Sequence, residues 1–244
     1  MNSGRTTREL AVLAYHRIGA PPADGWDTWH YISEQTFVKQ LGWLLDSNWA
    51  FIDHDCFLRG LEVPAALPQR SALLTFDDGC RCMYETVLPV LRQFRVPAML
   101  FVPTDSIGGM TEFDAEVEPL EPVCTWDELR ELDESGVSIQ SHGVSHYWFS
   151  LLTNEELARE IRQSKYALED GLGKPVDLLA FPYSDAGSAQ QQAEVKLFQA
   201  GYRAAFLCGG GPSKNRLPFA DPFHISRLAM YRDTELEREL GSHD

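Results

Sequence analysis

A chain of 244 residues with 44% hydrophobic and 23% charged side chains can bury a full-size core. Its formal net charge of -15 sets it against phosphate backbones and anionic lipid, and no local basic patch reverses that, so nucleic-acid binding is excluded. No apolar run is long enough to span a bilayer, the apolar part of MNSGRTTRELAVLAY is too short for a secretory leader, and five cysteines without even spacing suit reduced thiols; a cytoplasmic protein is expected.

In chain order, LAVLAY (10–15) reads as a buried strand, and Phe37, Leu41, Leu44 and Leu45 give the next segment one apolar helical face. WAFI (49–52) and ALLTF (72–76) are further strands, followed by a helix over about 84–94 and the strand AMLFV (98–102). Residues 104–124 are long, acidic and rich in Gly and Pro, which predicts a surface excursion. Thr125 with Glu128, and Thr153 with Glu156, have the spacing of capping boxes, and Gly136 and Gly171 stand where those helices should stop. VSIQS (137–141), LLAFPY (178–183), YRAAFL (202–207) and HISRLAMY (224–231) complete the strands. The glycines after Cys208 match neither G-x-G-x-x-G nor the G-K-[ST] ending of a phosphate loop. Strand and helix alternate throughout, so the class is α/β with a parallel sheet, closed as a barrel or open and doubly wound. One domain is expected over 1–244, with its core at about 10–231.

Such folds gather reactive groups at the carboxyl ends of their strands. ALLTF runs directly into Asp77 and Asp78, adjacent carboxylates that repel each other and resist burial unless something positive joins them. VSIQS runs into His142, and His146 follows four residues later, so both imidazoles can reach one ion; LLAFPY ends at Tyr183. Two histidines and one carboxylate leave coordination positions open, as catalytic zinc sites require, and the other aspartate stays free to accept a proton. Each element has an ordinary reading too: Asp-Asp-Gly as a turn, the histidine pair as a polar loop. Their joint occurrence at successive strand ends favours the metal. His30 and His54 read as surface or loop residues, His243 as part of a frayed tail, and His16 as a strand cap or a group behind the pocket.

TFDDG (75–79), SHGVSH (141–146) and FPYSDAG (181–187) resemble, in order, the first three motifs of the polysaccharide deacetylases, the carbohydrate esterase group that includes nodulation-type chitooligosaccharide deacetylases. AYHRIG (14–19), the segment 125–142, LTNEELAREI (152–161) and DPFHISRLAM (221–230) resemble the branch of adhesin poly-N-acetylglucosamine deacetylases, so the likeness covers about 10–231. The resemblance implies a distorted (β/α) barrel of about seven parallel strands and metal-dependent hydrolysis of an N-acetyl group on an amino sugar or saccharide, releasing acetate. It implies Asp77 as general base, Asp78, His142 and His146 as ligands of a divalent ion, and the Tyr183 backbone N–H as an oxyanion donor. The donor set suits zinc, with cobalt, nickel or iron able to use the same ligands. Family members often carry an arginine ahead of the Pro-Tyr pair to orient the base; Ala180 and Phe181 stand there instead, and Arg227, counted with the substrate-binding groups, is the candidate to take over. His224 is the late histidine available as general acid; Trp126 and Trp148 are candidates for stacking on sugar rings or for packing under the loops, the packing role suiting Trp126 better than Trp148. The alternatives are the same fold and metal acting on an O-acetyl ester or a small non-sugar amide, or a non-catalytic carbohydrate-binding barrel.

Overall fold

The structure, a computed structural model, describes residues 8–241. Seven apolar runs become parallel strands: β1 (Glu9–Tyr15), β2 (Arg70–Phe76), β3 (Ala98–Val102), β4 (Val137–Ser141), β5 (Leu178–Ala180), β6 (Ala204–Cys208) and β7 (Ile225–Ala229). Each pairs with the next, and β1 pairs with both β2 and β7, which closes the ring and resolves the choice between barrel and open sheet. The β1–β2 register runs the full length, Glu9–Arg70 to Tyr15–Phe76, whereas β1 meets β7 only at Leu13–Leu228 and Ala14–Ala229. The ring is therefore distorted at its base, where the short strands Asn215–Arg216 and Ala50–Phe51 extend the pairing of β1 and β2.

Alternation along the strands separates two cores. Leu10, Val12, Leu73, Met99, Phe101, Leu178 and Phe206 pack together inside the barrel, capped by Phe57 and Leu58. Leu13, Tyr15, Leu74, Phe76, Leu100, Ile139 and Leu179 face outward to the helices. Both faces are thus dry, which is why these strands read as continuous apolar runs. The surrounding helices are α1 (Glu34–Asp46), α2 (His54–Glu62), α3 (Leu88–Phe94), α4 (Trp126–Glu134), α5 (Asn154–Leu172), α6 (Ala193–Ala200) and α7 (Leu236–Leu240). None of the described helices is long and apolar enough to cross a membrane.

Several expectations shift locally. On α1 Leu45 is exposed, and Gln40 takes its place in the seam by accepting the Tyr15 hydroxyl at 3.1 Å. Both capping boxes form, on α4 and α5. Gly136 follows α4 with φ of +94°, but α5 runs through Gly171 and stops at Gly173, φ +71°. Gly171 serves packing instead, because the Trp126 ring lies against it and leaves no room for a Cβ. The strand expected through Tyr183 ends at Ala180, since Pro182 opens a single tight turn over Pro182–Ser184.

Candidate metal and acid–base site

Strand parity gives the two aspartates their different surroundings. Leu73 and Thr75 precede Asp77 at alternate positions, and Leu73 packs in the barrel interior, so Asp77 continues the inward row. Asp78 comes next with φ of +71°, turned out of the strand, and Gly79 follows at φ +68°, where the Val102 side chain stands too close for a Cβ. Both carboxylates are buried, each 2% exposed.

His142 leaves the end of β4, and its Nδ1 lies 2.8 Å from the Ala180 carbonyl at the end of β5. A carbonyl only accepts, so Nδ1 carries the proton and Nε2 keeps its lone pair, 3.6 Å from Asp78 Oδ1. His146 Nε2 lies 3.4 Å from the same oxygen, and its Nδ1 is buried without a partner among the described residues. The loop between them is pinned by Glu160 of α5, which accepts the Val144 and Ser145 N–H groups and the Ser145 hydroxyl at 2.7, 3.1 and 2.7 Å. The three donor atoms lie within 4.8 Å of one another. Donors about 2.0–2.2 Å from a tetrahedral centre stand roughly 3.3–3.6 Å apart, so the observed 3.4 and 3.6 Å, too long for good hydrogen bonds, fit a shared divalent cation. Burial pushes the Asp78 carboxyl up, but the two imidazoles reverse this and hold it well below the usual carboxylate range.

Asp77 is not one of the three. Arg227 of β7 clamps it bidentately, Nη1 to Oδ1 and Nη2 to Oδ2, both at 2.7 Å. Arg227 also donates to Thr75 Oγ1 at 3.1 Å and to the Leu207 carbonyl at 3.2 Å, and is 1% exposed. Burial raises the Asp77 carboxyl, and the Arg227 charge, with His142 and the guanidinium hydrogen bonds, pulls it below its ordinary value. Arg227 does not line the cavity and contacts the aspartate from behind; its placement among substrate-binding groups is corrected.

A cavity of about 670 Å³ opens above these groups. Tyr183 lines it in the left-handed region, φ +53°, and no acceptor among the described residues takes its N–H. Its ring lies against His146 and is stacked on Trp148 at 4.3 Å, and its hydroxyl donates to Asp114 Oδ1 at 2.8 Å. Asp78, His146, Tyr183 and Ser184 all have positive φ, a concentration of backbone strain at one site.

Two expected members lie elsewhere. His224 precedes β7 rather than ending a strand, pairs with Asp221 at 2.7 Å and lines a separate surface depression. Trp126 opens α4 against Gly171 and does not line the cavity. Conversely, residues 104–124 form a wall of the site, with Phe113 against the His146 ring at 4.1 Å and Asp114 on Tyr183. His30, expected in a loop, lines the cavity with Nδ1 2.7 Å from Glu118 Oε1; burial, with His16 beside it, pushes its imidazole down to about 3. His16 stacks on His30 at 4.4 Å and places Nε2 4.0 Å from Asp77 Oδ2. His54 lies apart, 3.4 Å from Asp177; His243 is outside the described residues.

The profile of the family described as polysaccharide deacetylase matches residues 65–205, more than half of the chain. The chain belongs to the polysaccharide deacetylase family. The matched stretch contains Asp77, Asp78, His142, His146 and Tyr183, while His16, His30 and Arg227 lie outside it. YxkH of Bacillus subtilis is 22% identical over 174 residues, which are 71% of this chain and 56% of that protein. The poly-beta-1,6-N-acetyl-D-glucosamine N-deacetylase of Staphylococcus epidermidis is 24% identical over 213 residues, 83% of this chain and 68% of that one. The chain thus spans just over half of one relative and two thirds of the other. Among solved structures, the Streptococcus pyogenes deacetylase PplD in complex with acetate superposes with a TM-score of 0.80 at 18% identity, over 98% of this chain and 99% of that one. IcaB from Ammonifex degensii gives 0.79 at 23% identity, covering 96% of each chain. Both share the deacetylase family's distorted barrel.

Proposed function

We propose that this chain is a divalent-metal-dependent N-deacetylase of an amino-sugar polysaccharide, releasing acetate and leaving a free amine. The observation that carries this reading is the convergence of Asp78, His142 and His146 within 4.8 Å, with a second buried carboxylate, Asp77, held beside them by its own arginine. A binding module has no use for that arrangement. A cation held by Asp78, His142 and His146, zinc by donor type, supplies Lewis acidity: it brings water's ionisation toward neutral pH and polarises the acetyl carbonyl.

The remaining work falls to the chain's own groups. Asp77 accepts the proton of the attacking water; both its oxygens hold Arg227 yet keep lone pairs free, and the clamp fixes the carboxylate in a buried site. The Tyr183 N–H, presented by the left-handed turn, donates to the developing oxyanion, a contact typically worth about 3–4 kcal/mol of barrier. His16, beside Asp77 and lining the cavity, protonates the departing nitrogen, the role expected of His224. Burial lowers the His16 imidazole, partly offset by Asp78 and Asp77, so it begins neutral; the proton that Asp77 took from water passes to His16, 4.0 Å away, and from there to the nitrogen, leaving Asp77 ionised again.

The test is acetate release from N-acetylglucosamine oligomers by protein loaded with zinc or cobalt. Turnover abolished by a chelator and restored by the metal is expected. Release from O-acetylated sugars alone would contradict the N-deacetylase reading.

A further inference from the structure

The loop 19–30 lies outside the stretch matched to the family, yet it brings two half-exposed indoles to the cavity, Trp26 and Trp29, each 50% exposed. Trp29 stands on the His16 side: its ring is 6.0 Å from His16, 3.5 Å from His30 and 5.0 Å from Tyr231. Trp148, stacked on Tyr183, stands on the His146 side. Single exposed aromatics need no explanation, but several around one cavity leave apolar faces in water at a cost that a ligand can recover.

The loop is also fastened. Thr28 Oγ1 donates to Glu118 Oε2 at 2.7 Å, Arg232 clamps Asp27 at 2.6 and 3.1 Å, and Gly25 packs against the Pro119 side chain. A ligand meeting these rings therefore does not have to order them first. Charge narrows the ligand further. Arg17 is paired with Glu118, Arg227 with Asp77 and Arg232 with Asp27, so each arginine around the cavity is committed to a carboxylate. Asp27, Asp114 and Glu118 line it, and among the described residues no lysine or arginine lines it to hold a phosphate or a uronate.

We propose that Trp26 and Trp29 form a subsite for a second sugar ring, uncharged or cationic, of the same saccharide chain whose acetyl group lies at Asp77 and Asp78. This rests on the deacetylase reading above and adds to it a preference for chains over single sugars and against anionic ones. The pyranose face, rich in C–H groups, stacks on the indole while its hydroxyls meet the carboxylate rim.

With metal-loaded protein, the ratio of kcat/KM for the N-acetylglucosamine tetramer to that for the monomer is expected to fall about tenfold in Trp29→Ala, through KM, and to recover largely in Trp29→Phe. An unchanged ratio overturns the subsite. A second measurement needs no turnover: calorimetric titration with the glucosamine tetramer, which has no acetyl group to lose. Binding about tenfold weaker in Trp29→Ala supports the subsite, and equal binding overturns it. A tetrasaccharide alternating N-acetylglucosamine with glucuronate should bind the unmodified protein more weakly than either; equal affinity overturns the charge preference. If no acetate is released from any N-acetylated sugar while the titration depends on Trp29, the deacetylase reading fails and the subsite stands.

Discussion

Asp77→Asn is expected to lower turnover of an N-acetylated saccharide about 10²–10⁴-fold while the metal stays bound. The asparagine amide has nearly the shape of the carboxylate but cannot take a proton at neutral pH, so the substitution removes the base and leaves the cavity. Asp77 contributes no atom to the Asp78–His142–His146 cluster, and its two oxygens face Arg227 instead. Turnover and metal content measured on the same sample separate the two roles. Loss of metal along with activity would mean that Asp77 is a ligand and that the division of labour between the adjacent aspartates is wrong.

The second large effect is on stability. Arg227→Leu should destabilise the fold by about 3–5 kcal/mol, because it strands the buried Asp77 charge without a partner. Arg227→Lys keeps the charge but loses the planar fork, so it should recover part of the stability while turnover stays low, its base being poorly aligned. The pH dependence has a definite sign. Asp77 titrates below its ordinary 3.8 in the folded protein, so the pair stabilises fully above that pH, and its contribution fades as pH falls through the lower folded value. The penalty of Arg227→Leu should therefore shrink in acid. Urea unfolding of the variants at neutral and acid pH measures this; a penalty under about 1 kcal/mol at neutral pH would rule out a tightly coupled buried pair.

The barrel strands were legible because both of their faces are dry, which writes continuous apolar runs into the sequence, and the polar residues ending three of those runs marked the site. Asp77, Asp78, His142 and His146 each sit within a few residues of a strand end, so local pattern was enough to expect them together, as the structure places them. Arg227 could be guessed as the partner of Asp77, but not its depth, because the pair joins β2 to β7 across the interior. Glu118 and His30 were out of reach: an acidic, Gly- and Pro-rich excursion and a polar loop both look solvated, and only their mutual packing makes a wall. His224 misled because its lateness in the chain matched an expected order, whereas its position before a strand, not after one, removes it from the cavity. Trp126 took the packing role that was its alternative: flanking a motif in sequence does not bring a ring to the site, and Gly171 is where it packs on α5.

The central claim is that Asp78, His142 and His146 close around a single divalent cation while Asp77 stays outside its ligand set. Elemental analysis after loading with zinc and exhaustive dialysis tests it most directly. About one equivalent is expected in the unmodified protein and in Asp77→Asn, and almost none in His142→Ala or His146→Ala. A full equivalent retained by both histidine variants, or no metal in the unmodified protein under any loading condition, would contradict the account.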